Sequence, residues 1–240
     1  MVPRVSRVLP SVQEKPRYVA AMFGRIATRY DFMNTLMTGG QDARWRRIVA
    51  DAVGHAEQVL DVGTGTGKLA RAIAQRHPTA NVVGVDFALP MLHHAAPSQR
   101  LACADATRLP FADATFDAVV SAFLVRNLAN IRNGIAEQVR VLRPGGRLVI
   151  LETTPGPGGW LGRLFRLYFR VLVPLLGGLI AGDAAAYTYL PESTAAFEEP
   201  EQLAAALRAA GLEDVRVRRL CFGTVALTTS MLQPREMPEE

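Results

Sequence analysis

The stretch Val59-Leu-Asp-Val-Gly-Thr-Gly-Thr-Gly-Lys-Leu69 constrains this chain more than any other. An apolar run meets Asp61, and glycines follow at alternate positions 63, 65 and 67. The run reads as a strand, and glycines so spaced allow a sharp turn and a close backbone approach that a Cβ would obstruct. A helix starting after Gly67 would present unpaired N–H groups to whatever the loop holds. Strand, turn and helix in this order place a ligand at the carboxyl end of a parallel sheet.

Three chemistries use such a loop, and the residues separate them. The nucleoside-triphosphate loop requires G-x-x-x-x-G-K-[S/T], whereas here Lys68 precedes Leu69 and Val62 stands where the first glycine belongs. In the dinucleotide loop G-x-G-x-x-G the last glycine comes one residue later, and a carboxylate just upstream would repel a pyrophosphate. A carboxylate there suits a cation, so Asp61 is expected to face the α-amino group of S-adenosylmethionine (SAM). Asp86 closes the next apolar run, Asn81-Val-Val-Gly-Val-Asp86, where it can accept hydrogen bonds from both ribose hydroxyls. Asp105 follows Leu101-Ala-Cys-Ala104 and suits contact with the adenine. Thr64, Thr66, Phe87, Ala106 and Ala122 flank these acids and join Gly63 and Gly65 as candidate cofactor contacts. Each acid alone reads equally as a solvated loop residue; three at successive strand ends favour a cofactor site.

Strands are expected at 58–62, 82–86, 101–104, 117–122, 147–152, 215–219 and 224–229, with helices between them and two more near 14–29 and 42–53. In Arg143-Pro-Gly-Gly146 a helix should end at Arg143, since Pro144 cannot continue it. The expected fold is α/β: a seven-stranded, mostly parallel sheet with one antiparallel strand and helices on both faces. With 240 residues and 49% hydrophobic content, one core accounts for the whole chain as a single domain. Residues 1–22 read as a flexible tail and the start of a helix, and 155–195 as an inserted helical segment. Cys103 and Cys221 lie in apolar runs and are expected as buried free thiols of a reducing compartment. His55, His77, His93 and His94 show no ligand spacing, so surface positions and no metal are expected. The first residues carry Arg4 and Arg7 but no apolar stretch of signal-peptide length, and a cytoplasmic setting is expected.

The glycine loop, Leu109-Pro-Phe111, Thr115-Phe-Asp117 and Leu142-Arg-Pro-Gly-Gly146 together resemble the class I SAM-dependent methyltransferases, whose fold is Rossmann-like. Tyr30-Asp-Phe-Met-Asn34 with Trp45, Phe123-Leu-Val-Arg-Asn127, the run from Arg140 to Glu152, and Asp183-Ala-Ala-Ala-Tyr-Thr-Tyr-Leu-Pro-Glu-Ser193 narrow the likeness. These are similar to the ubiquinone/menaquinone-biosynthesis C-methyltransferases, over about residues 23–228. The resemblance implies methyl transfer from SAM to a ring carbon of a polyprenyl quinol precursor; a lipid amine is the alternative acceptor. It also implies roles near the quinol for Arg126 and Asn127, with Tyr30, Asp31 and Asn34 closing over the cofactor. A guanidinium does not act as a base at its ordinary pKa, so Arg126 is read as stabilising a phenolate or orienting a water, with Asn127 helping. The plainer reading of Asp31 and Asn34 is as caps at a helix end. Asp42 stands where the family usually has His, Thr38 where Ser is usual, Ala122 in place of a Ser, and Leu124-Val125 in place of Gly-Leu. Any proton transfer assigned to that His is therefore not inherited.

The stretch Trp160–Ile180 spaces Arg163, Arg166 and Arg170 helically among bulky apolar residues. Its first half is too charged, and its uncharged remainder too short, for it to be expected to cross the ~30 Å hydrocarbon layer. A helix lying at the inner face of the cell membrane and a lid packed on the sheet are both open readings, and 162–182 is also a candidate dimer surface. The net charge of +5 favours an anionic surface; without stacking platforms or a basic stripe, nucleic acid is not expected as a partner.

Overall fold

In a computed structural model, which describes residues 9–234, a seven-stranded sheet has the order β3-β2-β1-β4-β5-β7-β6. The strands are β1 (Gln58–Val62), β2 (Asn81–Asp86), β3 (Arg100–Cys103), β4 (Phe116–Ala122), β5 (Leu142–Thr153), β6 (Leu212–Leu220) and β7 (Val225–Leu232). β1 to β5 pair in parallel; β7 runs antiparallel to both neighbours, β5 and β6. The reversal of strand order at β1 and β4 opens a crevice at their carboxyl ends, where the glycine loop emerges.

The apolar residues of β1, β4 and β5 form near-continuous runs because both faces are covered. Leu60, Val119, Leu148 and Ile150 pack on one side against α5 (Ile131–Arg140) and α9 (Pro200–Ala209). Val59, Val120, Val149 and Leu151 pack on the other against α2 (Gln41–Val53) and α3 (Lys68–Arg76). Each such fully buried aliphatic side chain contributes about 1.5–3 kcal/mol over its exposed state. A third cluster lies over the strand ends. There α1 (Lys15–Thr38) meets the segment from α6 (Gly159–Leu167) through α7 (Val173–Leu176) to α8 (Ala184–Ala195), joining Met22, Ile26, Met33, Val173 and Tyr187. Two π-helical turns, Tyr168–Leu172 and Gly177–Ala181, connect α6, α7 and the chain beyond into one continuous helix.

Several expectations need correction. α1 is longer than the sequence suggests and stops only where Gly39 adopts φ 57° and its N–H caps Leu36 and Thr35 carbonyls. Asp31 and Asn34 therefore sit inside the helix and cap nothing. α5 ends at Arg140, before Arg143; Leu142 already pairs with Phe116, and the Pro-Gly-Gly turn is a bulge between that pair and Ala118–Arg147. The start of α1 at Lys15 agrees with the helix expected near 14–29, while 1–8 of the expected tail lie outside the described residues. Cys103 is exposed on edge strand β3 and Cys221 half-buried; both are free thiols. His55, His93 and His94 are exposed, and His77, half-buried, bonds the Ala50 carbonyl at 2.8 Å. Gly162–Ala181 is, by length and composition, sufficient to cross a membrane, contrary to the expectation that it is too short. It meets the rest of the protein along a narrow line: Val173 and Gly177 are buried, and Tyr168 donates to the Met37 carbonyl at 2.6 Å, while most of the segment is exposed.

Candidate active site

Two cavities meet above the carboxyl ends of β1 and β4. The first, about 200 Å³, is walled by the glycine loop, the end of β2 and residues 104–107, and roofed by the first half of α1. Gly63, Gly65 and Gly67 all take left-handed φ, and a Cβ on Gly63 would lie 2.9 Å from Leu124 Cδ1. The loop is drawn to β2 by Gly63 and Thr64 N–H groups donating to the Val85 carbonyl at 2.8 and 2.9 Å.

Asp61 is 1% exposed. Its Oδ2 accepts from the Thr64 hydroxyl at 2.7 Å and the Ala70 N–H at 3.1 Å, so it caps the first turn of α3. Its Oδ1 is buried without a partner, and burial, with the nearby Asp86 charge adding, pushes its pKa up to about 7. An unpaired buried carboxylate oxygen beside a glycine cradle is the environment an ammonium group would satisfy. Asp86 accepts from Gly65 N–H and Ala88 N–H, each at 2.8 Å, and burial raises its pKa. Each oxygen retains a second lone pair for ribose hydroxyls. Asp105 is half-buried; its Oδ1 accepts from both the N–H and hydroxyl of Thr107 at 2.8 Å, fixing the carboxylate on the cavity wall. Phe87, Ala106 and Ala122 line the same space. The acids and glycines thus fit SAM by donor type and charge.

The second cavity, about 290 Å³, has aromatic walls from Phe165, Tyr168, Phe169, Tyr187 and Tyr189. Tyr30, Gly63, Gly65, Ala122, Phe123 and Asn127 belong to both cavities and mark where they join. Phe123 holds φ 57° at the end of β4, a strained position for a bulky residue. That turn aims its carbonyl at the next residues: Arg126 Nη1 donates to it at 3.0 Å and Asn127 Nδ2 at 2.9 Å.

Arg126 is buried, and its Nη1 makes a short ion pair with Glu152, itself buried at the end of β5. Glu152 also accepts from the Arg126 N–H at 3.2 Å and the Thr153 N–H at 2.9 Å. The Arg126 Nε is buried with no partner. Asn127 Oδ1 accepts from the Tyr189 hydroxyl at 3.2 Å. Lys15 donates to the carbonyls of Arg126 and Leu128 at 2.8 and 2.9 Å, tying the start of α1 to this turn; burial, then the Arg126 charge, lower its pKa.

Tyr30 is desolvated, which raises its pKa and keeps it a neutral hydroxyl. Asp31 faces the loop but is already engaged, accepting from the Thr66 hydroxyl at 2.9 Å and pairing with Lys68 at 3.3 Å. It clasps α1 to the glycine loop, and Asn34, on the same helix, lines the second cavity. Asp42 is buried on that cavity's wall; burial opposes its ionisation, but hydrogen bonds from Arg46 at 2.6 Å and its charge prevail and lower the pKa. Asp42 is thus held as the anion, paired with Arg46.

Glu152, Lys15, Tyr187 and Tyr189 are site residues that sequence reasoning missed. Glu152 closes the β5 run as Asp86 closes β2, and that parallel was the available signal. Nothing in its local sequence marks Lys15. Among the described residues no cluster of His, Cys, Asp and Glu could hold a metal ion.

The sequence model of the ubiE/COQ5 methyltransferase family matches residues 11–231. A demethylmenaquinone methyltransferase of Deinococcus radiodurans is 47% identical over 224 residues, covering 90% of this chain and 92% of the relative. One of Thermus thermophilus is 48% identical over 215 residues, covering 86% and 97%. A solved SAM-dependent methyltransferase of Thermotoga maritima, described as a possible histamine N-methyltransferase, superposes with a TM-score of 0.63 at 18% identity. It covers 89% of this chain and 99% of its own, and shows a shared Rossmann-like fold.

Proposed function

The chain belongs to the ubiE/COQ5 methyltransferase family, and from that premise we propose that it methylates a ring carbon of a polyprenyl quinol, demethylmenaquinol, using SAM. The observation that carries this reading is the junction of an acidic, glycine-lined cavity with an aromatic one across Gly63, Ala122 and Phe123. Asp61 would take the cofactor's ammonium group on its free Oδ1, Asp86 the ribose and Asp105 the adenine, with Phe87 and Ala106 completing the wall and Thr64 and Thr66 on the second cavity's side of the loop. When bound, SAM supplies an electrophilic methyl on a sulfonium whose charge is lost on transfer, so weakly hydrating walls favour the reaction.

The remaining work falls to side chains of the second cavity. A ring carbon is nucleophilic when its neighbouring phenol ionises. Arg126 stabilises that oxyanion and Asn127 orients it, both steadied by Glu152, Tyr189 and the Phe123 carbonyl. Tyr30 and Asp31 hold α1 over the junction and exclude water. Because the substrate is membrane-borne, the enzyme works from the cytoplasm at the inner face of the membrane. Incubation with labelled SAM and either demethylmenaquinol or phosphatidylethanolamine tests the acceptor: label in the quinol is expected. Label in the amine lipid alone would defeat the reading.

A further inference from the structure

We propose that the outer face of the helix between Trp160 and Leu179, with Phe222 at the β6–β7 turn, docks the protein onto an anionic lipid bilayer beside the mouth of the aromatic cavity. Trp160, Leu164, Leu167, Val171, Leu175 and Leu179 are all exposed, from 54% to 76%. Their intervals of four, three, four, four and four residues put them on one face. The later intervals stay at four because the two π-helical turns carry more residues per turn. The opposite face cannot roll outward: Val173 and Gly177 are buried, and a Cβ on Gly177 would lie 2.3 Å from the Tyr187 ring. An apolar stripe of this length on a fixed helix needs a partner.

Charge selects the partner. Arg163, Arg166 and Arg170 are exposed along the same helix, and no Asp or Glu occurs between Gly158 and Gly182. A two-fold contact between copies would juxtapose these arginines with one another or with the apolar stripe. Lipid headgroups and acyl chains satisfy both features at once. Phe222 gives an independent indication. It is 87% exposed at φ 56°, after Cys221 at φ 46°, so two residues with side chains hold a left-handed conformation in order to project a phenyl ring into solvent. Thr224 fixes the turn through its N–H and hydroxyl, donating to the Cys221 carbonyl at 3.1 and 2.9 Å. Cys221 lines the same cavity as Phe165 and Phe169, so the helix and the phenyl ring flank one opening. A prenyl tail would pass between them from bilayer to cavity, a point that rests on the quinol reading; the docking surface itself does not.

The test is sedimentation of the full chain with vesicles of phosphatidylcholine alone or mixed with phosphatidylglycerol, together with quenching of tryptophan by brominated lipid. Trp160 is 70% exposed and Trp45 only 8%, so quenching reports the helix. Binding to mixed vesicles with quenching of Trp160 is expected. Phe222→Asp and Leu167→Asp should each weaken it roughly tenfold or more, and the Arg163→Gln, Arg166→Gln, Arg170→Gln triple variant should abolish its salt dependence. Unchanged melting and SAM titration curves would show the variants folded, and their methylation of a water-soluble quinol lacking the prenyl tail should be unaltered. Absent vesicle binding, or equal binding by all variants, overturns the docking surface. So does a dimer in light scattering that Leu167→Asp dissociates while vesicles remain unbound. Failure of wild type to methylate either quinol would instead strike the proposed acceptor and leave the vesicle result standing.

Discussion

The two cavities are built in opposite ways. The first cavity is mostly backbone and strand-end acids: Gly63 and Gly65 of one short loop, with Asp86 and Asp105 at the ends of adjacent strands, while Asp61 lies on the second cavity's side of that loop. The second cavity draws side chains from α1, α2, the glycine loop and the start of α3, the turn after β4, the end of β5, the α6 helix, α8 and the β6–β7 turn. A cofactor site of that kind tolerates change around it because its geometry is set by the sheet. The acceptor site depends on packing among helices that share only a few contacts with the sheet.

The sharpest way to break this contrast is at Arg126 and Glu152. Arg126→Ala leaves a buried carboxylate unpaired, so it should cost about 3–5 kcal/mol of stability and at least roughly 100-fold in turnover. The double variant Arg126→Met, Glu152→Leu should recover the melting temperature without the turnover. Wild-type rates in the double variant would show that Arg126 only holds the fold together. On the cofactor side, Asp86→Ala should weaken SAM binding by about 2–3 kcal/mol, roughly 100-fold, read by calorimetry, with a smaller effect on turnover at saturation.

Asp61 sharpens the comparison through pH. With its pKa pushed up to about 7 by burial, SAM affinity should fall about tenfold per pH unit below that value, and Asp61→Asn should bind weakly with a flat profile. The sign for stability is the reverse. The folded protein holds the Asp61 proton more tightly than the unfolded chain, so this residue's contribution is complete below the ordinary carboxylate value of 3.8. It is lost as pH rises toward about 7, so without ligand Asp61→Asn should melt higher than wild type at pH 8. The smallest effect expected is at Tyr189→Phe, which removes one hydrogen bond to Asn127: about 1 kcal/mol in kcat/KM and little change in SAM affinity.

How legible each side was follows from the same contrast. The glycine loop and the three acids could be read because their spacing is local and each strand end sits at a fixed place in a parallel sheet. Arg126 and Asn127 were readable only through family resemblance, and their partners Glu152 and Tyr189 were not assigned at all. Boundaries failed where local signals misled: Pro144 suggested a helix stop at Arg143, but the Leu142–Phe116 pair had already begun the strand and the Pro-Gly-Gly turn is a bulge after it. Of the two readings of Tyr30-Asp-Phe-Met-Asn34, the capping one fails because α1 runs on to Thr38 and Asp31 reaches Thr66 and Lys68 in the loop.

By itself the sequence determined the parallel sheet, the glycine turn and the acids around it, because hydrophobic periodicity and left-handed turns are properties of a few consecutive residues. Only the tertiary structure decided that Lys15 grips the turn after β4, that Arg126 is neutralised by Glu152, and that one face of the α6 helix is left without cover. Those facts depend on which segments distant along the chain come to rest against each other, and burial and electrostatic pairing are fixed only when they do.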